Sequence, residues 1–130
     1  MNIYLDIDGV ILASERQPSL HAEEFIKYIV DNHKVIWLTT HCRNPGDDPV
    51  PMLARYFDEE TVEYLKKIKP AYWEESKTEG IDFTKEFKWI DDDLFEFEKE
   101  ELEKHNALDS FIKVNLYDDP EQLEKIMKEL

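Results

Sequence analysis

Four short apolar runs, each closing on or beside a polar residue, constrain this chain most: residues 2–6 (NIYLD), 34–39 (KVIWLT), 87–91 (FKWID) and 111–116 (FIKVNL). Runs of this length, rich in Ile, Val, Trp and Phe, read as buried strands. The segments between them carry a different period. In residues 20–32, Leu20, Phe25, Ile26, Ile29 and Val30 recur near helical spacing, which predicts an amphipathic helix. Residues 52–68 read as mostly helical, in two pieces if Asp58-Glu59-Glu60 caps a second one, with Pro70 ending the run. A charged helix is expected over 94–105, and a terminal one over 120–130 with Pro120 near its first turn. Residues 10–18 and 43–51 read as loops, 71–73 as a short strand, and 74–83 as a polar connection containing Gly80. Strands alternating with helices predict an α/β fold with a parallel sheet covered on both faces. Ligands of such sheets bind beyond the carboxyl ends of the strands, where the polar residues of this chain fall.

A chain of 130 residues fits one domain, residues 1–130, with a modest core. Its apolar share of 42% is too high for disorder, even with a net charge of -15. That charge repels polyanions and anionic membranes, so long nucleic acid is disfavoured as a partner. No apolar run is long enough to span a bilayer and no signal peptide is visible. One cysteine, Cys42, excludes an internal disulfide and suits a reducing compartment, so a cytoplasmic location is expected.

The chemistry sits at the strand ends. Asp6 closes the first run and Asp8 lies two residues on, so both carboxylates can face one side. Two such groups repel unless a divalent cation lies between them, and that cation can also grip a phosphate oxygen. Gly9 lets the backbone turn sharply at the same edge. The segment after it, VILAS, lacks the oxygen ligands of a calcium-binding EF-hand loop. Thr39, or its neighbour Thr40, can donate a hydroxyl hydrogen bond to a transferring phosphoryl oxygen. Lys77 can hold the Asp6 carboxylate and neutralise phosphoryl charge, although most lysines are solvated surface residues. Asp91, Asp92 and Asp93 crowd the end of another apolar run, which is costly without a cation or donors. Asp91 is the leading metal ligand, Asp92 shares the metal directly or through water, and Asp93 caps the next helix. His41 and Arg43 can reach a substrate phosphate from the loop after Thr40; the competing reading makes them surface residues flanking a partly buried Cys42.

In order, DIDGV, a strand-end Thr, a Lys and strand-terminal acids resemble the four motifs of the haloacid dehalogenase (HAD) superfamily. WLTTH and WIDDD resemble its small members that lack an elaborate cap. The resemblance spans residues 2–93. It implies a Rossmann-like three-layer sandwich around a central parallel sheet, with no large cap domain. It also implies a magnesium-dependent phosphatase that works through an aspartyl-phosphate on an unidentified phosphomonoester. By position, Asp6 would attack phosphorus, and Asp8 would protonate the leaving oxygen and then activate water. Thr39 and Lys77 would stabilise the equatorial oxygens. Mg2+ would be held by Asp6, Asp91 and the backbone carbonyl of Asp8, with the Asp8 and Asp92 carboxylates as further candidate ligands. Gly9, Thr40, His41 and Arg43 would contact the substrate. An uncapped site favours a large or protruding phosphorylated substrate, such as a phosphoprotein or a nucleic-acid end, while small esters remain open.

Three other readings compete. A phosphate-binding or regulatory module without turnover would keep the same residues. A response-regulator receiver also gathers acids, a Thr and a Lys around magnesium, but its motif order differs from the one here. An interaction domain using the acidic helices has no specific motif to support it.

Overall fold

A computed structural model of the chain describes residues 1–14 and 16–130. It is an α/β fold built on a five-stranded, wholly parallel sheet. The strands are β1 (Asn2–Leu5), β2 (Lys34–Trp37), β3 (Lys69–Pro70), β4 (Phe87–Asp91) and β5 (Phe111–Lys113), in the spatial order β3-β2-β1-β4-β5. Helices α1 (Ala22–Asn32), α2 (Val50–Leu53), α3 (Glu59–Leu65), α4 (Glu96–Lys104) and α5 (Gln122–Glu129) fill the connections. The residues after β1 lead outward through β2 to β3, and the chain then returns to build β4 and β5 on the other side. The order therefore reverses between β1 and β4, and the crevice at their carboxyl ends is where such sheets bind ligands.

Strand alternation divides the core in two. Ile3, Leu5, Val35, Trp37 and Ile90 pack with Phe25, Ile26 and Ile29 of α1 and Leu123 and Ile126 of α5. Tyr4, Ile36, Leu38, Phe87 and Trp89 pack on the opposite face with Leu102 of α4 and with Ala71, Trp73 and Ile81. The sheet is thus covered on both sides, as neighbouring side chains of a buried parallel strand require. Among the described residues, no helix is long and apolar enough to cross a membrane.

The sequence-based expectations need three local corrections and are met at a fourth point. The third strand is Lys69–Pro70, not residues 71–73. It pairs with Ile36 and Trp37 at the sheet edge, so its exposed side chains carry no apolar pattern. Pro70 therefore lies in a strand and does not end a helix, α3 having stopped at Leu65. Its missing N–H is tolerated at an edge. The helical region 52–68 resolves into α2 and α3, and Asp58 Oδ1 does cap the second piece, accepting from Thr61 N at 2.8 Å. Asp93 does not cap α4. Among the described residues its carboxylate accepts only the amide of Leu94, at 2.9 Å, while Glu98 Oε1 accepts the Phe95 N–H at 3.0 Å where α4 begins. Finally, the polar connection 74–83 contains a 3-10 helix, Lys77–Gly80, whose entry is fixed by a Ser76/Glu79 capping box.

Candidate active site

Register brings the acids together. Leu5 pairs with Ile90 across β1 and β4, so Asp6 and Asp91 leave adjacent strands at the same level. Adjacent strands lie about 4.8 Å apart, so two carboxylates there are held against each other. Both are buried. Lys77 relieves the repulsion: its Nζ lies 2.7 Å from Asp91 Oδ2 and 3.4 Å from Asp6 Oδ2. The capped 3-10 helix sets that position, since Lys77 is its first residue. Asp91 has further donors, Trp89 Nε1 at 3.2 Å on Oδ2 and the Asp93 amide at 3.3 Å on Oδ1.

Asp92 completes the group. Carboxylate oxygens of Asp6, Asp91 and Asp92 all lie within 4.8 Å of one another. The electrostatics follow from that crowding. Burial first, and then the charge of Asp91, push the Asp6 carboxyl up from 3.8 to about 8, against the pull of Lys77. Partial burial and the hydrogen bond and charge of Asp91 raise Asp92 to about 6. Burial works against the charge of the Lys77 ammonium, yet Asp6 and Asp91 more than offset it and its pKa is raised. When all three carboxylates are ionised they exceed the single ammonium by two negative charges, and the donors are hard oxygens. That set fits a divalent cation of the magnesium type.

Asp8 is not part of this group. After Asp6 the chain leaves the strand and coils so that the amides of Val10, Ile11 and Leu12 all reach the Ile7 carbonyl at 3.1 Å. Strand alternation fails there, and the Asp8 side chain turns outward to His41, with Oδ2 2.8 Å from Nε2. The expectation that the Asp6 and Asp8 carboxylates face one side is thus corrected: Asp92, the other candidate ligand, stands with Asp6 and Asp91. Gly9 follows with φ of +78°, and a Cβ there would stand 2.2 Å from Asp92 Oδ2. Only glycine allows both that turn and that approach.

No protein-family model, curated protein or solved structure matches this chain.

A cavity of about 220 Å³ opens over the carboxylates, with Asp6, Lys77, Asp91 and Asp92 in its lining and Thr40, Trp73, Phe95 and Phe97 around them. Of the two threonines, Thr40 is the exposed one in that lining. Thr39 is fully buried behind it, its Oγ1 accepting the His41 amide at 3.3 Å and its carbonyl accepting Trp73 Nε1 at 3.3 Å. Arg43 does not face the cavity. Its guanidinium lies 4.3 Å over the Trp73 ring and donates to the Glu74 carbonyl, a packing role for a residue expected to contact phosphate. Cys42 is buried, and burial with Asp47 and Asp48 nearby raises its thiol pKa, so it is a packed residue and not a reactive one. Sequence reasoning also missed Trp89 as a donor to Asp91 and the aromatic mouth formed by Phe95 and Phe97. The S-x-x-E pattern of Ser76 to Glu79 was the readable sign that Lys77 begins a helical turn.

Proposed function

We propose that this protein is a magnesium-dependent phosphomonoester hydrolase of the HAD type, with a Rossmann-like core and no large cap domain, in which Asp6 accepts the phosphoryl group. One observation carries the proposal: Lys77 bridges Asp6 and Asp91 at the switch point of the sheet, with Asp92 alongside. A lysine spanning two buried acids, with a third acid beside them, suits a site built to take both a divalent cation and a phosphoryl group.

Asp6, Asp91 and Asp92 would hold the cation, which supplies charge neutralisation and orients one phosphoryl oxygen. An Asp6 oxygen forms a bond to phosphorus as the ester P–O bond breaks. Asp8, which rests on His41 beside the cavity, would turn to the departing oxygen and give it a proton, so the first product leaves as an alcohol. In the second half, Asp8 takes a proton from water as the water oxygen attacks phosphorus. Inorganic phosphate leaves and the Asp6 carboxylate is restored. His41 orients Asp8 through the 2.8 Å hydrogen bond. The Lys77 ammonium and the Thr40 hydroxyl, or that of Thr39, stabilise charge on the equatorial oxygens.

Phosphate release from a generic aryl phosphate tests the proposal. Wild type with Mg2+ should turn over, while Asp6→Asn and chelator-treated wild type should not. Equal rates for wild type and Asp6→Asn would overturn it. A module that only binds phosphate would show no turnover in any of these.

A further inference from the structure

Phe95 and Phe97 are an anomaly of this surface. Each is more than half exposed, at 55% and 52%, although the two rings stack on one another with centroids 5.7 Å apart and planes 14° from parallel. Exposed aromatic pairs of this kind cost solvation free energy unless something covers them. They are not remote from the chemistry. Both line the cavity whose floor holds Asp6 and Lys77, with Trp73 in the same lining.

We propose that the leaving group of the substrate is a nucleoside, its base lying flat against Phe97 and Phe95 at the cavity mouth. This rests on the phosphatase reading above and names the substrate class for it. Three observations support that choice over other phosphate esters.

The first is depth. Asp6 is buried while the two phenylalanines are half exposed, so a planar group that touches them sits outside the point where phosphorus must lie. An aryl phosphate, whose ring joins the ester oxygen directly, would keep its ring down among the carboxylates. A nucleoside monophosphate places a sugar between the ester oxygen and the ring. The second is charge. Glu75, Asp93 and Glu98 also line the cavity, and Lys77 is its one cation among the described residues. A second phosphate would meet acids, which favours a monophosphate with an uncharged leaving group. The third is size. About 220 Å³ is below the roughly 300–1,000 Å³ of sites that enclose a drug-sized ligand, so the cavity takes the phosphoryl end while the base lies on the open wall.

Adenosine 5′-monophosphate and ribose 5-phosphate have the same reacting ester and differ at C1, where one carries the base and the other a hydroxyl, so their specificity constants report on the wall. With Mg2+, the nucleotide should be preferred about tenfold or more, the effect of one base stacked on aromatic side chains. Phe97→Ala should bring that ratio close to one, and Phe97→Trp should keep it. Equal specificity constants in wild type would overturn the nucleoside assignment while leaving the phosphatase intact. Turnover of neither ester, nor of the generic aryl phosphate, would overturn both. Because the ratio is first read in wild type, the test does not depend on whether a variant folds.

Discussion

Replacing Asp6 with asparagine should make the metal-free protein more stable in alkaline solution, although it removes a buried hydrogen-bonding carboxylate. The Asp6 carboxyl sits at about 8 in the folded chain against 3.8 as the ordinary value, because burial and Asp91 oppose its charge. A folded pKa that is raised contributes stability fully present below pH 3.8 and lost as pH climbs through about 8. The span is about four pH units at about 1.4 kcal/mol each, a ceiling of about 6 kcal/mol. Lys77 and Asp91 readjust as Asp6 ionises, so about 2–4 kcal/mol is the expected loss. Asparagine cannot ionise and escapes it. Urea unfolding of both proteins in chelator, from pH 4 to pH 9, measures this directly. The curves should meet near pH 4 and separate with the Asn variant above at pH 9, and saturating Mg2+ should restore wild type. Parallel curves, or a less stable variant at pH 9, would refute the reasoning.

Other perturbations probe the neighbours. Lys77→Met leaves the buried Asp91 carboxylate without its ammonium partner, so metal-free stability at neutral pH should fall by about 3 kcal/mol in denaturant titrations. Under the proposed mechanism the ammonium would also meet the phosphoryl group, so steady-state kinetics should show kcat about a thousandfold lower. Gly9→Ala places a Cβ 2.2 Å from Asp92 Oδ2 at a φ of +78°; calorimetry should find Mg2+ bound about tenfold more weakly, and unfolding should show a loss of about 1–2 kcal/mol. His41→Ala frees Asp8 from its hydrogen-bond partner, so kcat should drop about tenfold with little change in the binding of inorganic phosphate.

Much of this architecture was legible because burial leaves a pattern. β1, β2 and β4 lie between two covered faces, so apolar residues dominate them, with Lys88 the one polar residue inside a strand, and a polar residue closes or soon follows each. The split between α2 and α3 was also legible, because Asp58 is a good cap and its carboxylate accepts the amide of Thr61. β3 was not. Two edge residues with exposed side chains pair only through their backbone, and the apolar Ala71 and Trp73 beside them are buried by tertiary packing instead. At the site, the juxtaposition of Asp6 and Asp91 follows from strand order, which no local pattern contains. The direction of Asp8 depends on how the chain coils around the Ile7 carbonyl, and alternation, a rule for extended strands, misplaces it. Lys77 sits in a stretch that composition alone makes look solvated, and only its capped turn carries it under the carboxylates.

The most direct measurement is the mass of the protein itself. Wild type and Asp8→Asn, which should hydrolyse the intermediate slowly, would be mixed with a reactive aryl phosphate and Mg2+, quenched in acid, and mapped by peptide mass spectrometry. One phosphoryl group on Asp6, absent in chelator and accumulating in the Asp8→Asn protein, is the predicted result. Turnover with the phosphoryl group on another residue, or an Asp6 that never carries one, would contradict it.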